Sequence, residues 1–242
     1  MTEIERYLFD LQGFLVIENA LTPTELAAIN QLLDQNIAQI DKPNKSWIRF
    51  DGLLNWGTEL RLLIDNPRIT SYLVALVGPE FRLDHDYVHI IRQGGGPIGS
   101  ILHGGATPYD PSQYYHYQQG RMYNGLVAVA YNLTDVSTDV GGFGCIPGSH
   151  KSNLPLPKEW QDLEYPHPCV QALGGKAGTA IIFTEALTHG TLPWKGPHER
   201  RTLFYKYSPN TNAWVRYYYN PDDYPDLTEN QRQILKPPGV YP

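Results

Sequence analysis

The first 78 residues or so alternate between helical and strand-like spacing of apolar positions. The segment ERYLFDLQG has helical spacing and ends at Gly13, a residue type that often terminates helices. FLVIENA then predicts a short strand. Thr22-Pro23-Thr24-Glu25 has the pattern of a capping box with proline in the first turn, and it predicts the start of an amphipathic helix. Residues 59–77 predict two helices broken near Pro67.

After Gly78 the pattern changes to short β-branched and aromatic runs separated by glycine and proline turns. This spacing is typical of an all-β sandwich or barrel, and we expect a jelly-roll-like core over about residues 79–209. The tail, about 210–242, is rich in tyrosine, aspartate and proline and predicts an irregular lid. We therefore expect one domain over residues 1–242, mainly β, with flanking N-terminal helices.

Composition narrows the class of protein. The chain has 242 residues, 18% of them charged, and a net charge of -6, so nothing indicates a nucleic-acid surface. Two cysteines cannot form a disulfide framework or a zinc-binding CxxC pattern. The N-terminus does not resemble a signal peptide, and no apolar run approaches a membrane span. We expect a cytoplasmic protein that acts on a small molecule, with its oligomeric state open.

The histidines are the residues that best indicate chemistry. His103 and His189 each end a strand-like run and are each followed by glycine. His85 and His89 share another strand and point to the same face. A nucleophile of the GxSxG type is absent from the sequence. RQGGGPIGS leads into a strand instead of a helix, so it does not predict a phosphate-binding loop.

Three segments in this order resemble the phytanoyl-CoA dioxygenase-like family of Fe(II)/2-oxoglutarate oxygenases: YLFDLQGFLVIENALTPTELAAI, GGFGCIPGSHKSNLP and THGTLPWKGPHERRTLFYKYSP. The resemblance implies a double-stranded β-helix that uses Fe(II), 2-oxoglutarate and O2. His103 and His189 match the family's metal histidines. Arg200 matches the arginine that binds the distal carboxylate of 2-oxoglutarate, with the adjacent Arg201 left open. Ser100 lies where the family often has a co-substrate contact.

The sequence departs from the family pattern at Gly105. The family has His-x-Asp here, because two residues on one strand face can bind one ion together. The favoured hypothesis is that chloride or bromide fills the vacant position, as in radical halogenases, and that the reaction is chlorination of a C–H bond. A second hypothesis is a hydroxylase that recruits Glu185 or Asp110. A third is a non-catalytic binding protein with a vestigial iron site.

The second hypothesis depends on whether the carboxylate of Glu185 or Asp110 can reach the metal. Glu185 is on the same strand face as His189 by alternation, but four residues of regular strand span roughly 13 Å, which is too far without a bulge. Asp110 could reach the metal only if its loop folds back. Glu185 also has a possible role in holding a substrate ammonium or hydroxyl group. We expect further pocket residues at Tyr109, Asn124 and Trp194.

Overall fold

The structure, a computed structural model, describes residues 1–40, 45–94 and 98–240, without the side chains of residues 40 and 98–100. Its α-helices are α1 (Glu3–Gln12), α2 (Pro23–Ile40), α3 (Thr58–Arg61), α4 (Thr70–Leu76) and α5 (Glu229–Ile234). Its strands are β1 (Phe14–Ile17), β2 (Trp47–Asp51), β3 (Phe81–Ile91), β4 (Ile98–His103), β5 (Tyr115–Gln118), β6 (Arg121–Asn124), β7 (Val127–Asn132), β8 (Gly142–Cys145), β9 (Gln171–Leu173), β10 (Ala180–Thr184), β11 (His189–Leu192) and β12 (Arg200–Pro209). No helix in these ranges is long and apolar enough to cross a membrane.

Two antiparallel sheets form the jelly roll. The large sheet has the order β1-β10-β7-β12-β3-β2, and the small sheet has the order β4-β11-β8-β9. Strands β5 and β6 form a separate hairpin. The prediction of a mainly β jelly roll with N-terminal helices is confirmed.

The large sheet is buried on both faces, and alternate residues of each strand serve different cores. In β7, Val127 and Val129 pack toward the helices, whereas Ala128 and Ala130 face the small sheet. Small side chains between the sheets leave room there, and this is where the cavity described below lies. The sequence pattern of β7, an uninterrupted apolar run, is what a doubly covered strand requires.

The predicted helix boundaries at the N-terminus are confirmed. Gly13 ends α1 in the left-handed conformation, with φ 84°, and its N–H donates to the Phe9 carbonyl. The Thr22 N–H donates to the Glu25 carboxylate at 2.7 Å, and the Glu25 N–H donates back to the Thr22 hydroxyl at 3.2 Å. This reciprocal pair is the capping box that the sequence predicted.

The boundary expected near residue 78 does not separate helices from strands. Strand β1 pairs with β10, and β2 pairs with β3 at the edge of the large sheet. Strand β2 has no clear signal in the sequence, because its five residues include no fully buried member and lie on an edge. Its position matters for function, since Trp47 and Arg49 of β2 line the cavity.

The tail expected to be irregular contains one short helix, α5, and is fastened to the jelly roll. Thr228 and Gln231 form a capping box at the start of α5. The Trp214 N–H donates to the buried carboxylate of Asp84 at 2.9 Å. Trp214 and Val215 thereby line the cavity, and the role of the tail as a lid stays a prediction.

His150 joins the N-terminal helix to the jelly roll and makes stability depend on pH. Its ring is fully buried, and its Nε2 lies 3.1 Å from the Asp10 carbonyl. Burial lowers the pKa of His150 to about 4, with Lys151 adding to the effect. The His150 ring therefore binds a proton near pH 6.5 in the unfolded chain, but only near pH 4 in the folded chain.

We expect the free energy of unfolding to fall as the pH drops from 6.5 toward 4. Above this window His150 is neutral in both states and does not lower the stability. His150→Gln should reduce this fall by about 2 kcal/mol. Urea unfolding of both proteins at several pH values measures it. Equal pH dependence in the two proteins would contradict the prediction.

Candidate metal and co-substrate site

The two candidate metal histidines are brought together by strand pairing in the small sheet. His103, the last residue of β4, lies directly opposite His189, the first residue of β11. Their ring centroids are 4.3 Å apart. The Nδ1–H of His189 donates to the Leu187 carbonyl at 2.7 Å, which leaves Nε2 as the ring atom with a lone pair. His103 makes the corresponding hydrogen bond to the backbone of Ile101.

Glu185 completes the cluster, against the distance that the sequence suggested. Strand β10 ends at Thr184 and β11 begins at His189, so Glu185 lies in a turn between the two sheets and not on a regular strand. Its Oε2 lies 3.8 Å from Nε2 of His189. One possible ligand atom from each of His103, Glu185 and His189 lies within 4.8 Å of the others. The span of roughly 13 Å applies only to a regular strand, and this turn interrupts the strand and brings Glu185 within reach of His189.

The two glycines after His103 fit against this turn. Gly104 and Gly105 have φ 82° and 103°, so the chain leaves the strand immediately after His103. A Cβ on Gly104 would lie 2.5 Å from the Leu187 carbonyl oxygen and 2.8 Å from that of Glu185. The Gly105 N–H donates to the Ala186 carbonyl at 2.9 Å. Gly105 is therefore a turn residue, and the strand alternation behind the His-x-Asp comparison does not apply to it.

Gly104→Ala tests this packing. We expect it to lower the free energy of unfolding more than Gly120→Ala does, by at least about 1 kcal/mol. Gly120 is the matched control, because it also has a left-handed φ, 78°, but a Cβ added there would have no described atom within 4 Å. Thermal or urea unfolding measures the difference. Equal losses would mean that the turn does not depend on the close approach of Gly104.

The protonation states of the cluster suit a metal. Burial lowers the pKa of His103, and it lowers that of His189 to about 3, so both rings are neutral at pH 7. Burial opposes the ionisation of Glu185, but Lys206 and His189 outweigh it and lower the pKa of this carboxyl. Two neutral imidazoles and one carboxylate are the donor set of non-haem iron sites.

Lys206 holds the other oxygen of the same carboxylate. Its ammonium forms a buried ion pair with Oε1 of Glu185, while Oε2 faces His189. The rings of Tyr87, Phe183 and Phe204 surround the ammonium. The sequence analysis missed Lys206, because one lysine within an apolar strand carries no motif. Its alternation with Arg200 along β12 is the signal that could have found it.

Arg200 is buried between the sheets with unsatisfied hydrogen-bond donors. It is 1% exposed, and its Nε and Nη1 atoms have no hydrogen-bond partner among the described residues. Burial alone lowers the pKa of Arg200 to about 10. The side chain passes Gly142, where a Cβ would lie 3.3 Å from Nε. A buried guanidinium in this state fits an anionic ligand, because unpaired buried donors are costly.

Further buried polar atoms without partners are found near Arg200. Thr202 is directly opposite Asn132 on one side and His89 on the other. The atoms in question are Thr202 Oγ1, Asn132 Nδ2 and both ring nitrogens of His89. Together with Arg200 they form a buried polar cluster whose chemistry fits a carboxylate ligand such as 2-oxoglutarate. Asn132 and Thr202 were not expected from the sequence.

Arg201 faces away from this region, as strand alternation requires. Its guanidinium binds Asp34 at 2.7 Å and Glu199 at 2.8 Å. The alternative in which Arg201 binds the co-substrate is therefore wrong, since its charge is already paired on the helical side of the sheet. The side chain of Ser100 lies outside the described set, so its expected co-substrate contact stays a prediction.

The cluster opens into a cavity of about 390 Å³. Glu185 and Lys206 lie within it, and His85 and His89 line it from β3 as their spacing predicted. The remaining lining is largely aromatic or polar: Trp47, Arg49, Tyr87, His103, Gln113, Leu126, Phe143, Phe183, His189, Gly190, Thr191, Phe204, Trp214 and Val215. Such a concave, aromatic site with few charged groups is typical of small-molecule binding.

Three residues expected in the pocket lie elsewhere. Tyr109 is 60% exposed and stacks with His116 outside the cavity. The Asn124 amide is buried and donates to the Leu76 carbonyl at 2.8 Å. Trp194 is buried, and its indole N–H donates to the His198 carbonyl at 2.7 Å. Tyr109 and Trp194 show that nearness in sequence to a metal histidine does not give nearness in a jelly roll, and the Asn124 side chain is instead held by the backbone of Leu76.

Asp110, the other carboxylate predicted as a possible metal ligand, forms hydrogen bonds within its own loop. Its Oδ1 accepts hydrogen bonds from the Ser112 N–H and hydroxyl at 2.7 and 2.6 Å, and from the Gln113 N–H. It is not part of the described cluster around His103 and His189. The loop does not fold back as that alternative required, because Asp110 stabilises its own turn.

Both the fold and the donor set are those of an Fe(II)/2-oxoglutarate oxygenase. The chain belongs to the phytanoyl-CoA dioxygenase (PhyH) family, whose profile matches residues 9–202. This confirms the resemblance seen in the sequence at the level of the family, while the halogenase-like variant motif stays a prediction.

Three solved structures are similar to this chain in fold. HygX from Streptomyces hygroscopicus, solved with nickel and 2-oxoglutarate bound, is 24% identical, with a TM-score of 0.80 over 89% of this chain and 90% of HygX. The carbocyclase SnoK from nogalamycin biosynthesis is 15% identical, with a TM-score of 0.65 over 87% of this chain and 85% of SnoK. The epimerase SnoN is 17% identical, with a TM-score of 0.61 over 86% and 84%.

Proposed function

We propose that this protein is an Fe(II)- and 2-oxoglutarate-dependent oxidase of a small molecule, with His103, Glu185 and His189 as the iron ligands. The proximity of these three side chains carries the proposal. It corresponds to the second hypothesis from the sequence, with Glu185 in place of the carboxylate that the family usually has two residues after the first histidine.

The two oxygens of the Glu185 carboxylate have different partners, and this supports the role of Glu185 as a ligand. Oε2 faces His189 and Oε1 binds Lys206, so one oxygen can bind iron while the other keeps its ion pair. Lys206 would then be a positioning residue that holds Glu185 as a ligand through a single oxygen. Three protein ligands leave the remaining positions of the metal open for 2-oxoglutarate and oxygen.

The unpartnered atoms around Arg200 support the assignment of 2-oxoglutarate. We assign the distal carboxylate of the co-substrate to Arg200 and Thr202, whose side chains share one face of β12. A guanidinium can bind a carboxylate through two parallel hydrogen bonds. HygX was solved with 2-oxoglutarate bound and SnoN with α-ketoglutarate, which supports the same co-substrate in this chain.

The residues of the chain position the reactants and exclude water. The neutral histidines offer ring lone pairs, and Glu185 offers a negative charge. Phe143 and Phe183 pack against His189, with ring centroids 5.7 and 4.8 Å away, and keep this end of the cavity apolar. Bound iron would supply the oxygen chemistry, with 2-oxoglutarate as its electron source.

Halogenation stays a prediction that the geometry does not favour. It relies on an open metal position left by Gly105, whereas Glu185 is close enough to occupy a position. We therefore expect oxidation without halide incorporation. A small-molecule substrate is supported by HygX, solved with hygromycin B bound, and by SnoN, solved with nogalamycin RO.

Anaerobic titration of the protein with Fe(II) and 2-oxoglutarate tests the proposal. We expect a charge-transfer absorption band that does not shift when chloride or bromide is added. Failure of iron and 2-oxoglutarate to bind would support the non-catalytic binding protein instead. A band that shifts with chloride would support the halogenase.

The variant Gly105→Asp further distinguishes the proposed oxidase from a halogenase. We expect this variant to lose stability by about 1–3 kcal/mol, because aspartate would have to adopt φ 103°. It should also bind Fe(II) no more tightly than the unchanged protein. Tighter iron binding together with a lost chloride response would contradict this expectation, since it would show that Gly105 faces an open position.

A further inference from the structure

A bulge in β3 places an aspartate and a histidine side by side at the outer end of the cavity. His85 is opposite Lys206 and Leu83 is opposite Tyr207, so Asp84 is an extra residue in the pairing with β12. A bulge of this kind changes the direction of neighbouring side chains. As a result Asp84 Oδ1 lies 2.8 Å from Nδ1 of His85, although consecutive residues of a regular strand face opposite sides.

Asp84 is held rigidly and therefore orients His85. Its carboxylate is fully buried, binds Arg82 at 2.8 Å, and accepts the N–H groups of Trp214 and Val215 at 2.9 and 3.3 Å. Because a carboxylate accepts, Nδ1 of His85 carries the proton and Nε2 is the acceptor of the neutral ring. The ring lines the cavity and stacks on Tyr87 at a centroid distance of 5.8 Å.

The cations at the cavity are already paired with carboxylates. Arg49 binds Asp51 at 2.6 Å, and Lys206 binds Glu185. A substrate with a net charge in this region would have to displace one member of a pair. A neutral molecule with hydroxyl groups could instead use the remaining donors and acceptors of these groups and of Gln113.

Aromatic faces line the cavity at two places along β3. Trp214 from the C-terminal tail, 49% exposed, lies beside Asp84, whereas Trp47 from β2, 42% exposed, lies farther along, opposite Ile91. Deeper in the cavity Tyr87 stacks with Phe204 at a centroid distance of 4.7 Å. Aromatic faces next to oriented polar groups match a ring that has apolar C–H faces and a hydroxyl-bearing edge.

We propose that the outer part of this cavity binds a neutral polyhydroxylated ring, a sugar or cyclitol unit of the substrate, and that His85 accepts a hydrogen bond from one of its hydroxyl groups. Trp214 covers one C–H face of the ring, and Asp84 is the positioning residue of His85. The inference rests on the proposed oxidase function for its reaction, but ring binding itself needs no turnover.

Saturation-transfer NMR on the full chain with Ni(II) and 2-oxoglutarate tests this inference. The probes are methyl α-glucoside and myo-inositol, with glucuronate and glucosamine as charged counterparts. We expect saturable binding of at least one neutral probe, and several-fold weaker binding of the charged ones. Binding of a charged probe more tightly than either neutral probe, or no saturable binding of the neutral probes, would overturn the inference.

Variants locate the binding and keep the two proposals distinguishable. His85→Phe should weaken binding of the neutral probe about tenfold, and the exposed Trp214→Ala should weaken it severalfold without affecting folding. His116→Phe, whose histidine stacks with Tyr109 and Tyr114 outside the cavity, is the matched control and should change nothing. Unchanged binding in both His85→Phe and Trp214→Ala would also overturn the inference. Failure of Ni(II) binding with ring binding intact would overturn the proposed function alone.

Discussion

Glu185→Gln is expected to lower the affinity for Ni(II) or Fe(II) by at least about a hundredfold, and oxidase activity with it. Loss of a ligand should cost more than loss of a residue that only orients one, which typically costs 10–100-fold. Glutamine keeps the size of the side chain and an oxygen for Lys206, so the loss would reflect the missing charge and ligand. Isothermal titration with Ni(II) under anaerobic conditions measures it.

Lys206→Met is the matched control for this variant. It removes the same ion pair but keeps the carboxylate of Glu185, which would still be able to bind a metal. We expect it to lower metal affinity by about 10–100-fold, less than Glu185→Gln does. Because breaking a buried pair destabilises by about 3–5 kcal/mol, folding of both variants is checked by circular dichroism. Similar metal affinities for Glu185→Gln and the unchanged protein would rule out Glu185 as a ligand.

Arg200→Leu is expected to remove most of the affinity for 2-oxoglutarate while metal binding persists. Truncating one partner of a buried charged contact costs about 2–5 kcal/mol, which is roughly thirty- to several-thousand-fold in affinity. The protein without co-substrate should not lose stability through the charge itself, since leucine removes donors that have no described partner. Titration of the Ni(II)-loaded protein with 2-oxoglutarate measures the effect.

Arg201→Leu provides the neighbouring control. It removes an arginine of the same strand, but one that faces Asp34 and Glu199 on the opposite side of the sheet. We expect 2-oxoglutarate affinity to be unchanged in this variant. If both variants bound 2-oxoglutarate like the unchanged protein, the assignment of Arg200 would be wrong.

The sequence was most informative where local periodicity and structure agree. Helix caps at Thr22 and Gly13 and the strand face shared by His85 and His89 depend on residues near one another in the chain. Alternation also predicted that Arg200 and Arg201 face opposite sides. The direction of each follows from the rest of β12, because Phe204 and Lys206 lie on the face of Arg200.

The sequence was least informative where a distant segment determines the local backbone. AIIFTEALTHGTLP contains no glycine or proline near Glu185, so nothing in it indicates the turn that moves this carboxylate beside His189. The turn packs on the backbone of Gly104, a residue far away in the chain. The bulge at Asp84 is hidden for a related reason, since it is a property of how β3 pairs with β12.

The contact between Gly104 and the Glu185 turn has a consequence for how such sites diverge among relatives. A side chain at position 104 would push the turn away, and a turn without the carboxylate would leave the histidines without the third ligand proposed above. The two positions should therefore vary together. Relatives with an acid two residues after the first histidine would be free to change both, whereas those with glycine there should keep glycine at 104 and glutamate at 185 as an inherited pair.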